Sequence, residues 1–286
     1  MADADPRALD AIFVPAQIAP AYQPVVDLTA GQVIGAEALA RWPRLAVTPD
    51  QAFAYARARR RSADLDALCQ RAALHSAAGA TVPDSFDLFV NVAPDAGVDA
   101  LVATSGSLQV VADLSARALD TDPEGFLADV AQLRSRGVGI SLGHVDASDG
   151  TLAFLPFLAP DVVRINLAAL LRRNGHQAGK LLDAVASYAS RTGATVLAEG
   201  IETESQATAA TRFGATLGQG WWFGHPGPLP VAVGTGGSSV PLLVGGDHAD
   251  RQRRALAERD AWAPLPERAG STLTERLIAA MGAPAA

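Results

Sequence analysis

Six short apolar runs, each too short for an independent helix and spaced by helix-length segments, constrain this chain more than any other feature. They are FDLFVNV (Phe86–Val92), LQVVADL (Leu108–Leu114), VGISLGHV (Val138–Val145), DVVRINL (Asp161–Leu167), ATVLAEGI (Ala194–Ile201) and ATLGQGWWFG (Ala215–Gly224). Their β-branched and apolar content reads as strand. Between them lie helix-prone stretches such as Pro123–Arg136, Ala168–Thr192 and Glu202–Phe213, ended by Gly137, Gly193 and Gly214. Strands that are apolar on both faces and alternate with helices predict a parallel sheet buried on both sides. Two upstream runs, AYQPVVDL (Ala21–Leu28) and VIGAEALARW (Val33–Trp42), belong to the same series. About eight strands predict an α/β fold of the closed, TIM-type (β/α)8 class, with function at the strand C-terminal ends. An open doubly wound sheet is the alternative.

The flanks differ in character. Residues 1–19 read as a lead-in, with a helical turn at Arg7–Ile12 broken by Pro15, and residues 20–230 as the barrel. Thr48-Pro49-Asp50 starts a helix, with a threonine cap, proline at the first position and an acid near the positive end of the dipole. That helical region runs to about Ala78 with a break near Arg61–Ser62, and its basic run, Arg57 and Arg59 to Arg61, reads as a solvated face. After Pro230 comes a glycine- and serine-rich connector, GTGGSSVPLLVGG, followed by helix-prone pieces at Asp247–Trp262 and Thr272–Met281. Residues 231–286 are thus expected to form a C-terminal helical appendage.

Composition excludes several classes. A net charge of −7 argues against a surface that coats a nucleic-acid polymer. The single cysteine, Cys69, excludes an intrachain disulfide and a cysteine-rich zinc site. No run of about 18 apolar residues predicts a membrane span. The acidic start, MADADPRALD, lacks a signal-peptide profile, so a cytoplasmic location is expected.

The strand ends carry the chemistry. Glu37 ends a buried run and Arg41 follows it, an arrangement suited to a metal or phosphate site or, more simply, to a solvated ion pair. Downstream ends add Asn91, Asp113, Gly143-His144, Arg164, Glu199 and Gln219. Carboxylates and amides converging on one rim suit a hard, oxygen-bound cation such as Mg²⁺, Mn²⁺ or Ca²⁺.

Taken in order, GAEALARW, FVNVAP, VVRIN, VLAEGIE and GQGWWFGHPGP resemble the EAL domains that hydrolyse cyclic di-GMP, over roughly Tyr22 to Pro230. The resemblance implies a modified TIM barrel and metal-dependent hydrolysis to linear pGpG, by two-cation logic. It places Glu37 and Asn91 as metal ligands, Asp113 where a ligand glutamate is usual, and Glu199 as a further acid of that site. Gln219 matches a glutamine of its floor, and Gln23, Leu39 and Arg41 match positions that contact the nucleotide.

The departures shape the functional expectation. Two adjacent aspartates of the family's DDFGTG-like segment are replaced by Gly143 and His144, followed by Val145, Asp146 and Ala147; the family lysine is Arg164, and a loop-steadying glutamate is Ala116. These changes imply a degenerate member with no enzyme activity and no cofactor, Mg²⁺ or Mn²⁺ being needed only for residual phosphodiesterase activity. Glu37, Asn91, Asp113, Arg164 and Glu199 are then a vestigial set. Gln23, Leu39, Arg41, His144, Arg164 and Gln219 form a nucleotide pocket, with His144 expected near Glu37 and Glu199 in its protonated form. The function expected is a cyclic di-GMP receptor or regulator working through a protein partner, with room for a homodimer. The competing readings are residual hydrolysis and a nucleotide-independent scaffold.

Overall fold

The computed structural model describes residues 9–229 apart from 94–97, 105–107, 146–148 and 174. Asp146, Ala147, the connector after Pro230 and the helix-prone pieces at 247–262 and 272–281 therefore lie outside the described residues. Eight strands close into one barrel in sequence order: β1 (Ala19–Asp27), β2 (Gln32–Arg41), β3 (Asp87–Asn91), β4 (Gln109–Ser115), β5 (Gly139–Gly143), β6 (Val162–Asn166), β7 (Thr195–Glu199) and β8 (Leu217–Gln219). The closed alternative holds and the open sheet does not.

One strand departs from the expected all-parallel arrangement. β1 runs antiparallel to both β2 and β8, while every other neighbouring pair is parallel. The reason is the short link Leu28–Gly31, where Gly31 takes φ +67° and its N–H bonds back to the Asp27 carbonyl. A link this tight can join only antiparallel neighbours, because a parallel return needs a crossover of a dozen or more residues.

The helices occupy the crossovers. α1 (Pro49–Ala58) opens on a capping box in which Thr48 accepts from the Gln51 N–H and Gln51 reaches back to the Thr48 N–H. α2 (Ser62–Ala78) follows after the expected break, with Arg60 at φ +55°. Then come α3 (Asp99–Thr104), α4 (Ala118–Thr121), α5 (Pro123–Ser135), α6 (Asp149–Leu158), α7 (Leu167–Leu171), α8 (Gly175–Thr192) and α9 (Glu204–Arg212). Gly137, Gly193 and Gly214 all take positive φ where the sequence predicts helices to end. The lead-in forms two short 3₁₀ turns at 11–13 and 15–17, and Ile12 is buried against the chain near Trp42, whose Nε1 donates to the Ile12 carbonyl. Arg57 and Arg59 to Arg61 are exposed, as a solvated face requires.

Two apolar shells hold the barrel. Outward-facing strand residues such as Val90, Ala112, Ile140, Val163 and Ala198 pack under the helices. Inside, Val25, Ile34, Phe89, Val111, Val162, Leu197 and Leu217 form a separate plug. Alternate residues of a strand share a face. The residue two positions beyond most of these plug members, toward the strand C-termini, is therefore the next one in: Asn91, Asp113, Arg164, Glu199 and Gln219, with Gln23 reached backwards along the antiparallel β1. That alternation stacks a polar layer directly on an apolar one. Among the described residues no helix is long and apolar enough to cross a membrane.

Candidate functional site

The polar layer is organised around Arg164. This side chain is buried, and β6 carries it into the middle of acids from three other strands. Its Nη2 lies 2.9 Å from Glu37 Oε2, 2.8 Å from Glu199 Oε2 and 2.9 Å from Gln219 Oε1. Its Nε donates to Glu199 Oε2 at 3.0 Å, and its Nη1 donates to Asp113 Oδ2.

Each carboxylate turns its second oxygen to a neutral donor. Asn91 Nδ2 donates to Glu37 Oε1 at 2.8 Å, Ser141 Oγ to Asp113 Oδ1 at 2.9 Å and Asn166 Nδ2 to Glu199 Oε1 at 3.2 Å. Gln219 Nε2 donates to Glu37 Oε2 at 2.7 Å, and Gln23 donates to the Gly224 carbonyl from the neighbouring β1.

The electrostatics follow from one base shared among three acids. Burial opposes ionisation of Glu37, yet Arg164 and the hydrogen bonds from Asn91, Arg164 and Gln219 hold its carboxyl below the ordinary value. Asp113 goes the other way: burial, then the charges of Glu37 and Glu199, push it up to about 7 against the pull of Arg164 and Ser141. A close contact with the guanidinium is thus not enough for Asp113, because Arg164 is already committed to two other carboxylates. Burial works against the charge of Arg164, but Asp113, Glu37 and Glu199 together hold its pKa well above the ordinary value.

The expected site residues are brought to one rim but divided among adjoining cavities. Gln23, Glu37, Arg164, Glu199 and Gln219 line one of about 380 Å³, together with Asn166, Glu202 and Trp221. Leu39 and Arg41 line a neighbouring cavity of about 260 Å³ between β2, β3 and the first two helices, with Asn91 at its edge. Arg41 bonds through Nη1 to the Ala40 carbonyl.

His144 shares a small cavity of about 90 Å³ with Asn91, Asp113, Arg164 and Glu199, as its expected place near Glu199 requires, and departs from expectation in its charge. It takes φ +55° and turns its Nδ1 to Ser115 Oγ at 3.3 Å, on the side of Arg117 and Arg173. Burial, then the positive charge of Arg117, lowers its pKa despite Glu199. At this position the neutral form is favoured, not the protonated one.

Arg164 also differs from its expected role as a phosphate contact, since its donors are spent on side chains of the layer. Three participants were missed in the sequence: Ser141, Asn166 and Trp221. Period-two alternation would have found the first two, which sit two residues from Gly143 and Arg164 on their strands. Trp221 follows β8 and is 62% exposed beside the cavity, its ring 5.2 Å from that of His225.

The oxygens of Glu37, Asp113, Glu199 and Asn91 are the donors a divalent cation would use. As arranged here they do not fit one, because the guanidinium stands where their oxygens converge. Among the described residues no group of three or more histidine, cysteine, aspartate or glutamate side chains is open to a metal ion.

Comparison with known proteins bears on these points. A sequence profile of the EAL domain matches residues 7–226. PdeN of Escherichia coli K12, described as a probable cyclic di-GMP phosphodiesterase, is 27% identical over 226 residues. That match covers 73% of this chain and 43% of PdeN, so the chain spans less than half of that relative. The PaMucR phosphodiesterase, solved as a complex with c-di-GMP, superposes with a TM-score of 0.67 at 24% identity, covering 78% of this chain and 97% of that one. Klebsiella pneumoniae BlrP1, solved with manganese and cyclic di-GMP, gives a TM-score of 0.64 at 24% identity over 73% of this chain and 56% of its own.

Two expectations are corrected by these findings. A relative described as a phosphodiesterase overturns the expectation that the chain is no enzyme. Neighbours of the same fold holding manganese or calcium overturn the expectation that no cofactor takes part. Gly143 and His144, where the resemblance leads one to expect two aspartates, do not by themselves decide activity.

Proposed function

The chain belongs to the EAL domain family, and from that premise we propose that it takes cyclic di-GMP on the C-terminal rim of the barrel, as a phosphodiesterase-class domain whose bound state also serves as a receptor signal. The observation that carries this reading is the single polar layer joining Gln23, Glu37, Arg164, Glu199 and Gln219 beside an open cavity of about 380 Å³.

The ligand has two phosphates and two guanines, and the rim offers chemistry for both. Arg41 supplies a guanidinium whose planar fork suits a phosphate. The amides of Gln23 and Asn166 can meet a purine edge or a ribose hydroxyl, and the half-exposed face of Trp221 can stack on a base. The reaction class is cleavage of one phosphodiester to give linear pGpG. A protein partner that reads the bound state belongs to the same proposal, and the 50% exposed Trp222, next to the cavity-lining Trp221, supports it.

Calorimetry with cyclic di-GMP tests the reading, with the linear product followed in the same samples. Binding is expected, and Arg41→Ala is expected to weaken it ten- to a hundredfold, since losing a charged hydrogen bond to phosphate costs about 1.5–3 kcal/mol. No binding at high protein concentration, or an affinity indifferent to Arg41→Ala, counts against it.

A further inference from the structure

We propose that the cavity of about 570 Å³ at the ends of β4, β5 and β6 binds a phosphomonoester, apart from the acids of the polar layer. The inference deepens the reading of the rim as a dinucleotide site and rests on that reading for its choice of ligand. Arg117, just after β4, and Arg173, just after α7, line this cavity together with His144, whose ring is turned to Ser115. Among the described residues neither of these two guanidiniums is held in an ion pair, unlike that of Arg164. Asp120 is the acid among the described lining residues, one carboxylate against two guanidiniums.

Charge and shape select the ligand. A guanidinium is a planar fork that takes two oxygens of one phosphate. A monoester offers three such oxygens and a charge of about −1.5 to −2 at pH 7. The remaining wall is apolar, with Ile165, Leu170 and Leu181, and suits a ribose or a base. The volume lies in the range of roughly 300–1,000 Å³ common to small-molecule sites. Arg164 and Asn166 line both this cavity and the one of about 380 Å³ at the rim, so the two adjoin. In the polar layer three carboxylates share one guanidinium, which disfavours a dianion there, whereas Arg117 and Arg173 favour one across the shared wall. Cleavage of a cyclic dinucleotide makes such a group. The water oxygen joins phosphorus, the bond from phosphorus to the 3′ oxygen breaks, and that oxygen takes up a proton. The phosphate left behind has one ester bond and a charge that the cyclic ligand lacks. A linear dinucleotide reaching over from the rim and a free mononucleotide present this same group.

Calorimetry on the full chain in chelator tests the site, with guanosine 5′-monophosphate, linear pGpG and guanosine as probes. The monophosphate is expected to bind, and guanosine, which lacks the phosphate, is not. Replacing Arg117 and Arg173 together by alanine is expected to weaken the monophosphate at least about tenfold. Arg117 is exposed and Arg173 half-buried, so the double variant should fold; if it does not, Arg117→Ala and Arg173→Ala measured singly decide the matter. Linear pGpG bound at least about tenfold more tightly than the monophosphate, with the same dependence on the two arginines, assigns the site to the linear dinucleotide. Equal affinities assign it to a free mononucleotide. No binding of either phosphate, binding indifferent to both substitutions, or guanosine bound as well as its monophosphate overturns the proposal. Cyclic di-GMP titrated in the same way separates the two readings: its failure to bind sinks the proposed function, while the monophosphate comparison tests the cavity alone.

Discussion

Asp113 is the residue whose charge the layer leaves least well supported, and it yields a pH dependence with a definite sign. Its carboxyl is raised to about 7 from an ordinary 3.8, so between those values the native state holds a proton that the unfolded chain has lost. Stability contributed by this group is therefore full below about pH 4 and falls as pH rises towards 7, by up to roughly 1 kcal/mol per pH unit. Glu37, lowered from 4.5, acts oppositely, contributing stability above its ordinary value that is lost on acidification. Its effect lies at more acidic pH. His144, lowered from 6.5, acts within pH 5 to 7 with the sign opposite to Asp113, so the difference between parent and Asp113→Asn is what isolates Asp113. With chelator present, melting temperature plotted against pH should decline across that window in the parent and stay flatter in Asp113→Asn. Parallel curves would show that Asp113 is ionised throughout. Much at this scale was legible in the sequence: Glu37, Asn91, Asp113, Glu199 and Gln219 stand on the rim because strand position determines which residues end a strand. What stayed hidden was direction. Arg164 could have faced solvent, a phosphate or the acids, and His144 could have faced Glu37. The choice between them depends on which side of the strand end each side chain leaves and on neighbours such as Ser115 and Arg117 that are distant in sequence.

At the scale of elements, the first hairpin sets the geometry that the parallel strands inherit. Gly35 on β2 pairs with Asp87 on β3, and a Cβ built at Gly35 would lie 2.2 Å from the Asp87 carbonyl oxygen. The neighbour is backbone, so it cannot swing aside. Gly35→Ala is therefore expected to force β2 from β3 and to cost about 2–4 kcal/mol in chemical denaturation. Gly143 at the end of β5 is the contrasting case. A Cβ there meets nothing closer than 3.8 Å, so Gly143→Ala should change stability by no more than about 0.5 kcal/mol. If the two substitutions cost the same, the close approach at Gly35 is not what sets its price. The difference also explains what sequence reading could see. Both glycines sit in apolar strand runs, and nothing local separates a glycine demanded by a neighbouring strand from one that is merely tolerated. Element identity was read well because period and helix-ending glycines are local signals, as at Gly137, Gly193 and Gly214. The reversed direction of β1 was missed even though its four-residue link to β2 was visible, because the dominant strand–helix alternation downstream was extended to the whole barrel.

Across the whole molecule, the barrel interior is two stacked layers that stabilise it by different physics. The lower layer is apolar, and Phe89 is fully buried within it. Phe89→Ala should cost about 3–5 kcal/mol by lost burial and a residual cavity. The upper layer joins β2, β4, β6, β7 and β8 through the guanidinium of Arg164. Replacing it with methionine preserves much of the volume but leaves three buried acids with no base, a loss of the kind that costs about 3–5 kcal/mol. For a chain of this size each kcal/mol moves the midpoint by roughly 2–4 °C, so both variants should melt clearly below the parent in chelator. Their responses to solution conditions should differ. Lowering the pH from 7 towards 5 protonates acids that Arg164→Met has stranded, so part of that variant's deficit against the parent should be recovered. The cavity left by Phe89→Ala has no titrating group in it, and its deficit should stay constant over the same range. Thermal unfolding of the three proteins at pH 5, 6 and 7 separates the cases. A deficit for Arg164→Met that does not shrink on acidification would mean that the upper layer is held by packing, with the ion pairs incidental to it.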